Sequence, residues 1–205
     1  MKLLKIALLL MTVVVFSNCA SSYKTINPSS LSYNSNSSDK GVLLEYKYDL
    51  LDKKYRKKEL EKDIRLIAVK ITNNSNRDLK FGKDIKLTYA NGGQLYIMDN
   101  NSVLTSLKQS PSSYLWYLLL TPLQLVKTES TNGFQTESSS TPIGLVVGPG
   151  LAGGNMIAAS SANTKFENDL LNYNVNGKII KKGTTVSGLI GIRSNDYDQI
   201  KIKVD

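Results

Sequence analysis

The sequence predicts a mainly β fold: an antiparallel β-sandwich interrupted by an apolar, glycine-rich helical segment. Three observations carry that reading. Short apolar-polar alternations occupy both ends of the chain, turn residues divide them about every ten residues, and a charge-poor middle breaks the pattern. With 205 residues, 41% of them hydrophobic, the chain is long enough to enclose a core.

Order is expected from near Gly41, where residues 42–50 alternate apolar and polar side chains as a half-buried strand does. The run 53–65 sets Lys53, Lys54, Arg56, Lys57, Lys58, Lys62 and Arg65 against Glu59, Glu61 and Asp63, and reads as a solvated face. Residues 64–72 are the clearest strand, closed by the turn-forming stretch Asn73 to Asp78. Residues 79–81 and 85–89 continue the pattern, Asn91-Gly92-Gly93 turns the chain, and residues 95–98 follow. Residues 166–173 read as a short helix with Phe166, Leu170 and Tyr173 on one face. Strands are then expected at 175–180, 184–193 and 199–204, with Asp196-Tyr197-Asp198 turning between the last two. The stretch Val69-Lys70-Ile71-Thr72-Asn73-Asn74-Ser75 resembles immunoglobulin-like domains of extracytoplasmic bacterial proteins, and that resemblance implies an immunoglobulin-like sandwich.

The middle, about 102–172, is expected to be a helical insertion. Residues 109–126 and 138–164 carry no charge, and a polar linker, 127–137, separates them. Three readings compete. Gly148-Pro149-Gly150-Leu151-Ala152-Gly153 has the glycine spacing of a dinucleotide-binding turn, but Pro149 removes an amide and no βαβ series surrounds it. The absence of charge, the Gly144/Gly148 spacing and the aromatic residues Tyr114, Trp116 and Tyr117 fit contact with lipid. A helical insertion packed across the sandwich is preferred, because large apolar surfaces usually find a partner within the fold.

The chain has no histidine and one cysteine. Imidazole-activated nucleophiles, His-ligated metals, internal disulfides and multi-cysteine clusters are therefore excluded. Asp196 and Asp198 are too few to hold calcium alone, Glu129 and Glu137 are not placed as an acid-base pair, and no Ser-x-x-Lys motif is present. No catalytic residue, cofactor site or metal site is expected, so the chain is not read as an enzyme.

Residues 1–18 begin Met-Lys-Leu-Leu-Lys, run apolar through Phe16 and end Ser17-Asn18 before Cys19, as a secretory signal does. Phe16-Ser17-Asn18-Cys19 resembles the processing box of bacterial lipoproteins, in the loosened form of the Bacteroidetes type. That resemblance implies removal of 1–18 and lipid attachment at Cys19. Two or three acyl chains then hold the protein firmly where one would not. No acidic residue follows Cys19 closely, which by the same resemblance implies the periplasmic face of the outer membrane. Residues 19–40, rich in serine and asparagine, are expected to be a flexible tether of roughly 25 Å root-mean-square reach. Residues 41–205 are expected to be one domain.

Removing Lys2 and Lys5 leaves 24 basic against 17 acidic residues, a formal net charge of +7. In an exported chain this favours an envelope protein or an anionic envelope surface as partner, and not nucleic acid. The sequence thus reads as a lipid-anchored, non-enzymatic binding or structural module of the cell envelope. A membrane-active insertion (109–126, 138–164) and a histidine-independent periplasmic enzyme are the alternatives.

Overall fold

The computed structural model describes residues 19–131 and 134–205. The expected signal segment, 1–18, lies outside them. In chain order the strands and helices are β1 (Ser35–Asp39), β2 (Val42–Lys47), α1 (Lys53–Glu61), β3 (Ile64–Asn73), β4 (Leu79–Lys80), β5 (Ile85–Tyr89), β6 (Ile97–Met98) and α2 (Asn100–Leu107). Then follow β7 (Leu125–Thr131), β8 (Phe134–Thr141), α3 (Gly144–Asn172), β9 (Ile179–Ile180), β10 (Thr185–Arg193) and β11 (Ile200–Val204). Helix and strand shares are nearly equal, 33% and 32%, and the sheets are antiparallel, consistent with the expected β-rich fold carrying helix. The chain forms two compact units: 19–22 with Gln109–Ala162, and Tyr23–Lys108 with Asn163–Asp205.

The larger unit is built on an antiparallel five-stranded sheet ordered β1-β2-β3-β10-β6. β3 is central, and its whole first half is buried. Both faces of the strand are covered, which is why its sequence is a continuous apolar run and not an alternation. One face presents Val42, Leu44, Ile67, Val69, Ile190 and Ile192 to a core completed by Phe81, Ile85, Leu87, Ile200 and Ile202. Those partners come largely from the antiparallel pair β5-β11. On the opposite face α1 packs on β3 and α2 on β10. α2 sits close because β10 offers Gly191 there: a Cβ at that position would overlap the Val103 side chain.

Residues 23–40 are not a free tether. Tyr23 and Ile26 are buried, and the Tyr23 ring meets those of Tyr55 and Phe166 at centroid distances of 5.2 Å each. Asp169 fixes the segment by accepting from the Tyr23 hydroxyl at 2.9 Å and the Ile26 N–H at 2.7 Å. β1 then pairs with β2 through a two-residue turn in which Lys40 and Gly41 both have positive φ. Its polar side chains have a structural use that hydrophobic patterning cannot register. Ser37 Oγ accepts from Ile202 N–H at 3.2 Å and Asp39 Oδ2 from Val204 N–H at 2.8 Å, satisfying donors of β11 that face away from β5.

The smaller unit is narrower than the expected insertion, since α2 and the last turns of α3 belong to the larger one. It is also not wholly helical. The expected polar linker forms the antiparallel hairpin β7-β8, with a register shift between Lys127 and Thr128.

Candidate functional site

Cys19 is half-exposed, is not in a disulfide, and belongs to the smaller unit. The residues after it are clamped. Ala20 N–H donates to Asn155 Oδ1 at 2.5 Å, and Asn155 Nδ2 in turn donates to the Leu151 carbonyl at 2.8 Å. Gln109 takes both backbone groups of Ser21: its Oε1 accepts from Ser21 N–H at 3.0 Å and its Nε2 donates to Ser21 O at 2.7 Å. Burial, followed by the neighbouring Cys19, pushes the Tyr117 hydroxyl above its ordinary range. Cys19 is thereby held against one face of a folded unit. Asn155 and Gln109, isolated amides in uncharged stretches, gave no sequence signal for this role.

That unit has an unusual internal pattern. In the 3-10 segment Pro111–Leu120, residues three apart share a face. Tyr114 and Tyr117 point inward and stack at 6.3 Å, while Leu115, Trp116, Leu118 and Leu119 point outward. In α3 the buried positions of this unit are Gly144, Gly148, Ala152, Ala159 and Ala162. A Cβ at Gly144 would overlap the Leu120 and Thr121 carbonyls, so the small residues serve close packing within the unit. The large residues Leu145, Val146 and Ile157 are exposed. The sequence led us to expect these apolar stretches to be buried. Twelve of the seventeen large apolar side chains exposed among the described residues lie in this unit.

The larger unit holds a groove of about 530 Å³ along β5. Lys86, Lys203, Gln94, Asn176, Thr88 and Tyr96 line it, and the Tyr96 ring is 72% exposed. Lys86 is paired with Asp205. No sequence motif marks this groove, because its residues come from β5, the following turn, the 176 loop and β11.

No protein-family model, curated protein or solved structure matches the chain. The glycine series 148–153 lies inside α3, and residues 144–147 just before it are helical where a dinucleotide-binding turn needs a strand, so it does not form such a turn. Asp196-Tyr197-Asp198 does turn between β10 and β11, and Tyr197 lies under the Arg65 guanidinium at 4.9 Å. Among the described residues no three potential ligands are grouped to hold a metal ion. The side chains of Glu129 and Glu137 lie outside the described set. No helix among the described residues is long and apolar enough to cross a membrane.

One carboxyl is strongly perturbed. Glu59, part of the run expected to be solvated, is fully buried, and burial raises its pKa to about 7 against the opposing Leu66 N–H bond and Arg65 charge. Its Oε1 accepts from Leu66 N–H at 2.8 Å, at a point on β3 beyond the end of its pairing with β2. Arg65 donates from Nη1 to the carbonyls of Glu59 at 3.1 Å and Ile64 at 3.0 Å, and from Nη2 to that of Asn195. These groups replace missing strand partners. They do not line the β5 groove.

Proposed function

We propose that the chain is a lipid-anchored protein of the cell envelope, held through Cys19 at the periplasmic face of the outer membrane, and that its larger unit is a non-enzymatic, immunoglobulin-like binding module. The observation that carries the reading is the open β5 groove, with lysines, amides and an exposed tyrosine, in a unit whose raised carboxyl is sealed from substrate. Lys203, beside a Lys86 already paired with Asp205, gives the groove a basic side, which favours an acidic segment of an envelope protein as its occupant. The clamp on residues 20 and 21 supports the anchor, since it fixes the point from which acyl chains would leave the fold.

The test uses the native host. A photo-crosslinking amino acid at Tyr96 is expected to give one discrete protein adduct that Lys203→Glu abolishes, whereas the same probe at exposed Leu60 gives none. No adduct, or identical adducts from both positions, removes the groove as the binding site. Acyl-chain labelling and membrane fractionation of Cys19→Ser test the anchor separately, and label retained in that variant refutes it.

A further inference from the structure

We infer that the smaller unit lies in the interfacial layer of a bilayer, with its outward apolar side chains among the acyl chains. This contact does not need the lipid on Cys19. The inference goes beyond the anchor reading and rests on it only for the choice of lipid as occupant.

The packing of this unit is inverted. A helix solvated by water turns its large apolar residues inward and its polar residues out. Here α3 turns Gly144, Gly148, Ala152 and Ala159 inward and Leu145, Val146 and Ile157 outward, and the 3-10 segment does likewise with Trp116 and Leu119. Small residues inside with large apolar residues outside is the arrangement of helices packed together in lipid.

Charge points the same way. Residues 109–126 and 138–164 contain no Lys, Arg, Asp or Glu. Protein-binding patches carry a polar rim and are enriched in arginine. The unit's charges, Lys127, Glu129 and Glu137, are confined to the β7-β8 hairpin, and uncharged stretches with Trp116 73% exposed match the water-membrane boundary, where indole rings concentrate.

The anchor position is continuous with this surface. Cys19 is in this unit and is held within it, so acyl chains on its sulfur would start from the same body that carries the exposed apolar side chains. The seating is shallow and not spanning, because Pro149 lies within α3 and none of the described helices meets the length and apolarity of a crossing.

The chain from residue 19 to 205 carrying Cys19→Ser, and hence no lipid, is mixed with vesicles of phosphatidylcholine alone and of phosphatidylethanolamine with phosphatidylglycerol. Trp116 is the single tryptophan and reports its own surroundings. Expected are flotation with both vesicle types that survives high salt, a blue shift of tryptophan emission, and quenching by lipids brominated near the headgroup. The exposed double variant Leu119→Ser/Val146→Ser keeps its far-ultraviolet circular dichroism and loses binding by about tenfold or more, since each side chain transfers less apolar area. Three results overturn the inference. The protein stays unbound with unchanged emission, it binds only anionic vesicles and only in low salt, or it self-associates with Trp116 shielded in the absence of lipid. Absence of acyl label on the native chain in cells, or label retained in Cys19→Ser, would refute the anchor while leaving vesicle binding to be read independently.

Discussion

Replacing Glu59 with glutamine removes a proton whose energetic consequence follows from its surroundings. The side chain is fully buried, and desolvation holds its pKa at about 7 in the fold, against 4.5 when free. The folded state therefore binds the proton more tightly than the unfolded chain does. Stability from this group is fully present below about pH 4.5 and is lost as pH rises through about 7, a total of roughly 3 kcal/mol. Glu59→Gln retains an oxygen for the Leu66 N–H, at 2.8 Å in the native protein, and cannot ionise. Arg65 loses an attractive charge in the variant, but that attraction is already outweighed by burial in the raised value. Urea unfolding followed by far-ultraviolet circular dichroism at several pH values between about 5 and 8 is the assay. The native protein should lose roughly 3 kcal/mol across that window while the variant stays flat and becomes the more stable of the two at the upper end. Asp99 and Asp205, held low by hydrogen bonds from Ser102 and Lys86 respectively, act only at lower pH. Equal slopes for the two proteins would refute the assignment of the proton to Glu59.

Two further outcomes follow from packing and from the clamp. Gly191→Ala forces a Cβ into Val103 and should cost about 1 to 3 kcal/mol, and Val103→Ala in the same chain should recover part of it, a coupling that a double-mutant cycle reads directly. Gln109→Ala leaves both Ser21 backbone groups without their side-chain partner, at about 1 to 3 kcal/mol locally. Amide exchange should then quicken at Ser21 and stay unchanged along β3.

The strands were legible because each buries one or both faces against a sheet partner, and burial is what apolar patterning records. β2, β5 and β11 alternate in the sequence as they do in the structure, and the glycine turn at 91–93 falls where expected. β1 was not legible. Its residues Ser35 to Asp39 are polar throughout, and they are ordered by hydrogen bonds to β2 and β11 that leave no apolar trace. The same blindness hid Glu59, which sits in a run of charges whose other members are mostly exposed and is buried because it meets a backbone donor. In α3 the face of residues 166–170 was legible because Phe166 and Leu170 are buried, whereas from Gly144 to Ala162 the inside is carried by glycine and alanine, so a search for large residues finds the outward face instead. The β5 groove joins residues from separate elements, which no local motif can reveal.

The ordered start of the chain changes how an anchored module would work. A flexible tether raises the local concentration of its domain over a volume set by its reach, and leaves orientation free. Here Ala20 and Ser21 are hydrogen-bonded into the smaller unit, and Tyr23 and Ile26 are buried in the larger one. Little slack remains between Cys19 and the smaller unit that clamps the next two residues. On the proposed reading, acyl chains on Cys19 and the outward side chains Trp116, Leu119 and Val146 would engage one membrane together, and two linked contacts bind more strongly than either alone. Such a protein would gain affinity for the surface without gaining reach. Its partners would then be components that approach the same surface closely. Lengthening the 20–22 segment with glycine and serine should accordingly lower binding at the β5 groove if closeness to the surface matters, and leave it unchanged if the groove acts alone.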